Sequence, residues 1–185
     1  MSTLLSSLIS LLGGCVRNKY ETPAYKVISS EGVFEIRDYP QMVLISTPMQ
    51  NRGSDGSFMK LFRFIQGRND HEEKIAMTTP VLIAGTDQGT MSFILPEKFA
   101  EKGAPASLNP DVSVHMIPPA RYAALRFSGS INSEHSESEA KKLASWTSQH
   151  SLTTIGTPLF AYYNPPWTPG FMRRNEVLIR LPPTP

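Results

Sequence analysis

The chain has 185 residues, with 18 basic and 16 acidic side chains and a formal net charge of +2. Its length suits one domain, and 40% hydrophobic against 18% charged residues is the composition of a chain that buries a core. The near balance of charge argues against nucleic acid as a partner. The single cysteine, Cys15, excludes a disulfide within the chain and a cysteine-rich metal site. Sixteen prolines and twelve glycines point to strands and turns rather than a helical bundle.

Residues 1–14 are apolar and uncharged. They are too short to span a bilayer as a helix, which needs about 20 apolar residues, but they match the apolar region of a signal peptide. Leu12-Gly13-Gly14-Cys15 resembles the bacterial lipobox, in which small residues admit a peptidase and the cysteine accepts the lipid. No Lys or Arg precedes Cys15, whereas signal peptides usually begin with positive charge. Two readings stand. In the first, residues 1–15 are a lipoprotein signal segment and Cys15 is lipidated, anchoring the protein in the cell envelope facing the periplasm. In the second, the cysteine is there by chance and the protein is cytoplasmic.

Residues 16–24 read as a linker and 25–182 as the folded domain. Tyr25–Ile28 and Val33–Arg37 form a hairpin signal across Ser29-Ser30-Glu31-Gly32, and Met42–Ile45 is a third strand. Phe58, Leu61, Phe62 and Ile65 fall at i, i+3, i+4 and i+7, which predicts a helix over Phe58–Gln66 with these four on its apolar stripe. Strands follow at Met77–Ala84 and Thr90–Leu95. A helical turn at Lys98–Lys102 and strands at Val112–Ile117 and Ala120–Phe127 come next. A second long helix runs from about Ser133, as N-cap, to Gln149. Strands Leu159–Tyr163 and Glu176–Leu181 finish the domain.

The order strand, helix, strand, strand occurs twice. Corresponding strands share wording, Pro80-Val81-Leu82-Ile83 beside Pro158-Leu159-Phe160-Ala161 and Ile94-Leu95-Pro96 beside Arg180-Leu181-Pro182. This predicts an internal duplication with a pseudo-twofold relation.

Four stretches carry a family resemblance. They are Tyr25-Lys26-Val27 with Phe34-Glu35-Ile36-Arg37-Asp38-Tyr39, Phe58–Asn69 leading into Lys74-Ile75-Ala76-Met77-Thr78-Thr79-Pro80-Val81, Met91-Ser92-Phe93-Ile94-Leu95-Pro96, and Tyr163-Asn164-Pro165-Pro166-Trp167 with Arg173-Arg174-Asn175-Glu176-Val177. In order and spacing they resemble the SOUL haem-binding family over Tyr25–Leu181. The resemblance implies an α+β fold, a distorted eight-stranded antiparallel β-barrel with two flanking helices. It also implies non-covalent binding of haem or another porphyrin, by a monomer, in a shallow apolar groove beside the first helix, for carriage, buffering or sensing.

Haem is a flat apolar plate with two propionates at one edge, so its site needs apolar side chains and one or two cations. Phe58, Met59, Phe62, Arg63 and Phe64 on the first helix are the candidates. Leu61 and Ile65 belong to the core. Arg63 falls where relatives carry a basic residue, while Asp55 and Thr168 replace other basic residues of the family. Arg173 or Arg174 is a substitute cation, or else pairs with Glu176 or Asp38 or caps its loop. Imidazole is the commonest haem-iron ligand from a protein, and among His71, His115, His135 and His150 the first is the candidate metal ligand. Trp167 either closes over a ligand or anchors its loop by packing. No nucleophile elbow, phosphate loop or paired metal-histidine motif is present. The sequence therefore favours a binder over an enzyme, and any catalysis would borrow its chemistry from bound haem.

Overall fold

The computed structural model describes residues 20–50, 56–85 and 88–183; the lipobox with Cys15, and Asp55, lie outside them. The elements in chain order are β1 (Lys26–Glu31), β2 (Phe34–Tyr39), β3 (Met42–Gln50), α1 (Ser57–Ile65), β4 (Val81–Ala84), β5 (Gln88–Ile94), α2 (Lys98–Lys102), β6 (Ser113–Ile117), β7 (Ala120–Phe127), α3 (Ser133–Gln149), β8 (Ile155–Tyr162) and β9 (Asn175–Arg180).

All nine strands join one antiparallel sheet in the order β1-β2-β7-β9-β8-β4-β5-β3-β6. The sheet is open, with β1 and β6 as its edges. The α+β fold and the antiparallel sheet agree with the expected distorted eight-stranded barrel, but the sheet has nine strands and its pairing is not closed. Eight strands do belong to the duplicated unit, and β1 is the ninth, added as a hairpin outside β2 across a turn at Gly32, whose φ of 59° favours glycine.

The strand order carries the duplication. Apart from β1 the list is a palindrome. The sequences β2-β3-α1-β4-β5 and β6-β7-α3-β8-β9 meet at the β4–β8 seam, and each gives its first strand to the edge of the other, β2 to β7 and β6 to β3. Each first strand connects to its second by two residues, Pro40-Gln41 and Pro118-Pro119. Such a link spans at most about 11 Å. β2 and β3 lie near opposite ends of the strand order, so the sheet must curl until those ends approach.

The two faces of the curled sheet bury different side chains, as the period of two along a strand requires. Phe93, Phe160, Val177 and Ala123 lie in the core beneath α1 and α3, with Ile45, Leu61, Phe64 and Leu143. Their chain neighbours Ile94, Ala161, Leu178 and Ala124 line the other face with Leu82, Tyr39 and Tyr163.

Helix α1 sits in a different rotation from the one its apolar spacing predicts. Ser57, Leu61, Phe64 and Ile65 are buried, while Phe58 and Phe62 turn toward the boundary with solvent. Helix α3 is capped by Asn132 rather than Ser133, its side-chain oxygen accepting from the His135 backbone N–H at 2.8 Å. Trp146 of α3 stacks on Phe34 with centroids 5.0 Å apart and planes 3° from parallel.

Candidate functional site

Side chains at 58, 59, 62 and 63 of α1 share one face, because helical neighbours recur at three and four residues. Leu61, Phe64 and Ile65 hold the opposite face in the core. The outward face carries the Phe58 and Phe62 rings, nearly parallel at 16° with centroids 6.0 Å apart, and Phe58 rests edge-on against Phe93 at 5.1 Å. Met59 beside them is 45% exposed. The Arg63 side chain is exposed and forms no ion pair with an acidic side chain among the described residues. Lys60, on the helix flank, is committed to Asp111 at 2.8 Å. The structure therefore gathers Phe58, Met59, Phe62 and Arg63.

Phe64 is corrected. It is 1% exposed and belongs to the core, because the rotation that turns Phe58 and Phe62 outward carries Phe64 beneath the helix.

His71 lies in the turn after α1, exposed, with its Nε2 3.9 Å from Asp70. The turn is built around Asn69, fully buried, which donates to the carbonyls of Phe64 and Glu73 and accepts from the backbone N–H groups of His71 and Glu73. No group of three or more His, Cys, Asp or Glu side chains among the described residues is arranged to hold a metal ion.

Arg173 and Trp167 lie apart from this face in sequence and in element, on the loop between β8 and β9. Arg173 is taken up by the loop itself, its Nε donating to the Thr168 carbonyl at 2.8 Å and its Nη2 to that of Pro166. Trp167 is 83% exposed and is not a packing anchor. Arg174, next to Arg173, enters a buried cluster that the sequence motifs hinted at without placing. Glu176, fully buried, accepts from Arg174 Nη2 at 2.8 Å, from Arg37 Nη1 at 2.6 Å and from the Tyr163 hydroxyl at 2.9 Å. Burial pushes the Glu176 carboxyl up, but the bond and charge of Arg37 and the charge of Arg174 outweigh it and hold the group below the usual carboxylate range. Burial pushes the Tyr39 hydroxyl up to about 12. Two of the four stretches that carry the resemblance, around Arg37 and around Glu176, thus meet in a structural ion-pair network.

A concavity lies at the β4–β8 seam, lined by Tyr39, Leu82, Ile94, Tyr122, Ala161 and Leu178, with Pro23 at its wall. Its volume is about 130 Å³, on the scale of a cavity that holds a benzene molecule. The outward face of α1 is a separate surface and carries ring faces, a thioether and a cation with no acidic partner among the described residues.

The comparisons agree with this fold. Among solved structures, the chain is similar to the C-terminal domain of EcmrR, with 11% identity, 86% of this chain and 99% of that one covered and a TM-score of 0.58. It is equally similar to a hydrolase from Listeria innocua, with 9% identity, 84% and 94% covered and a TM-score of 0.60. These likenesses establish the shared fold. A search of curated proteins returned no match. The family model described as SOUL heme-binding protein matches residues 20–180, and the chain belongs to this family, whose role is the binding of haem or a related tetrapyrrole.

Proposed function

We propose that haem, or a related tetrapyrrole, lies against the outward face of α1, with Phe58, Met59 and Phe62 against the macrocycle and Arg63 paired with a propionate. The observation that carries this reading is the pairing on one face of exposed apolar side chains with a cation that has no acidic partner among the described residues. Large exposed apolar groups mark binding surfaces, and an arginine without a carboxylate partner among the described residues is available to one from a ligand. The donor set fits the group: flat ring faces for a flat plate, and a guanidinium for a carboxylate.

His71 is the imidazole nearest this face in the chain, and ligation of the iron by it is a separable part of the proposal. A haemin absorption titration of wild type, Arg63→Ala and His71→Ala tests both parts. The Arg63→Ala protein should bind about tenfold or more weakly, as loss of one charge-assisted hydrogen bond implies. Loss of the Soret shift in His71→Ala would assign the axial ligand to His71, and an unchanged spectrum would leave the iron without that imidazole.

Monomeric binding and an envelope anchor at Cys15 complete the reading. Light scattering of the haem-loaded protein checks the first. Mass spectrometry of the N-terminal peptide from wild type and Cys15→Ser checks the second.

A further inference from the structure

The two copies of the duplicated unit differ in the connection between their last two strands. β4 and β5 are joined by three residues, whereas β8 and β9 are joined by the twelve residues 163–174. A three-residue link suffices to turn this strand pair, so the longer loop is not needed for the sheet. At twelve residues it is at least about twice the usual length of such connections.

The loop presents three large apolar side chains to solvent. Trp167 is 83% exposed, Phe171 82% and Met172 64%. They are not displayed by a slack segment. Arg173 donates to the carbonyls of Thr168 and Pro166. The Thr168 N–H reaches the Pro165 carbonyl at 3.0 Å, and the Met172 N–H reaches that of Pro169 at 2.9 Å. The Gly129 N–H donates to the Gly170 carbonyl at 2.9 Å, tying the loop to the start of α3. The loop also contains no acidic residue and two arginines. Arg174 is spent on Glu176, while among the described residues Arg173 bonds neutral carbonyls and has no acidic partner, leaving a charge at the base of the tip.

We propose that this loop is a membrane-contact tip, seating Trp167, Phe171 and Met172 in the interfacial region of a lipid bilayer with Arg173 at the headgroups. Three side chains of this size expose on the order of 500 Å², below the about 800 Å² per partner of a stable protein–protein interface. A bilayer requires no matching surface, and tryptophan, with an apolar body and one N–H, favours the depth where hydrocarbon meets headgroup. Arginine near that depth is drawn to anionic lipid. The chain enters the fold at this same end of the sheet. The Thr79 N–H donates to the Glu21 carbonyl at 2.8 Å, and Val81 pairs with Tyr162, the last residue before the loop. An anchor upstream of Tyr20 and the aromatic tip would therefore face one membrane.

The test uses the full chain carrying Cys15→Ser, so that no lipid on the cysteine contributes. It is mixed with phosphatidylcholine vesicles containing phosphatidylglycerol or none, some bearing brominated acyl chains. Two tryptophans are present, and Trp146 is buried, so emission that disappears in Trp167→Phe reports the tip. The Trp167 emission should shift to the blue and be quenched by brominated lipid, more with phosphatidylglycerol present. The Trp167→Ser/Phe171→Ser/Met172→Ser protein should co-sediment with vesicles at least tenfold less. Unshifted, unquenched Trp167 emission overturns the proposal. So does equal co-sedimentation of the triple variant, or a triple variant that loses haem binding while vesicle binding is unchanged.

Discussion

Glu176 accepts a hydrogen bond from Arg37 at 2.6 Å although 139 residues separate the two in the chain. Their strands do not pair directly; β7 lies between β2 and β9. The contact therefore ties the first strand of one half of the duplication to the last strand of the other. Both side chains are almost fully withdrawn from water, with Arg174, Tyr163 and Tyr39 completing the bonds around them.

Removing one partner of such a pair strands the other charge, at a cost of about 3–5 kcal/mol. Glu176→Gln should lower the unfolding free energy by that amount, as read from urea melts. Arg37→Met/Glu176→Leu, which removes both charges, should lose less than the sum of the two single variants. Equal losses in a double-mutant cycle would contradict coupling between them.

The same pair sets an acid limit. Arg37 and Arg174 depress the folded-state pKa of Glu176. Its contribution is therefore present above the unfolded value of 4.5 and fades as pH falls below that value toward the folded one. Urea midpoints measured between pH 7 and pH 3 should fall across this acid range in wild type. In Glu176→Gln the fall should be smaller.

Asn69 makes four hydrogen bonds from a fully buried position. Asn69→Ala would leave the N–H groups of His71 and Glu73 and two carbonyls without their partner, and should cost about 2–3 kcal/mol. Hydrogen exchange at residues 69–75 should rise more than at β4, because the turn after α1 depends on this side chain.

Thr47, in β3, is fully buried, and its Oγ1 has no hydrogen-bond partner among the described residues. Thr47→Val keeps the shape and removes an unsatisfied polar atom. It should raise stability by about 1 kcal/mol, a gain of about 2–4 °C in melting temperature for a chain of this size.

Much of the fold was legible because β-rich runs are separated by clear turn signals. All nine strands overlap the runs read from the sequence, with shifted ends; β3 extends to Gln50 and β8 begins four residues before Leu159. The phase of α1 was not legible. Phe58, Leu61, Phe62, Phe64 and Ile65 supply two overlapping apolar stripes, and the structure buries the one that includes Ser57, whose hydroxyl donates to the Pro48 carbonyl at 3.3 Å. Phe64 therefore lies in the core and not at the site. The exposure of Trp167 had no sequence signal, since a tryptophan among prolines reads equally as an anchor. The Arg37–Glu176 contact depends on the exchange of β2 between halves, which local pattern does not encode. Of the site, the Met59–Arg63 pairing was readable from its i, i+4 spacing, because both side chains fall on the helix's polar flank whichever stripe is buried.

The most direct measurement is haemin affinity, by absorption titration, of Met59→Glu beside wild type. Met59 is exposed, so the substitution leaves the core alone while placing a charge where the macrocycle would lie and opposite its propionates. Binding weakened at least tenfold with an unchanged melting temperature is the result this account predicts. Wild-type affinity in Met59→Glu would place the tetrapyrrole elsewhere on the protein.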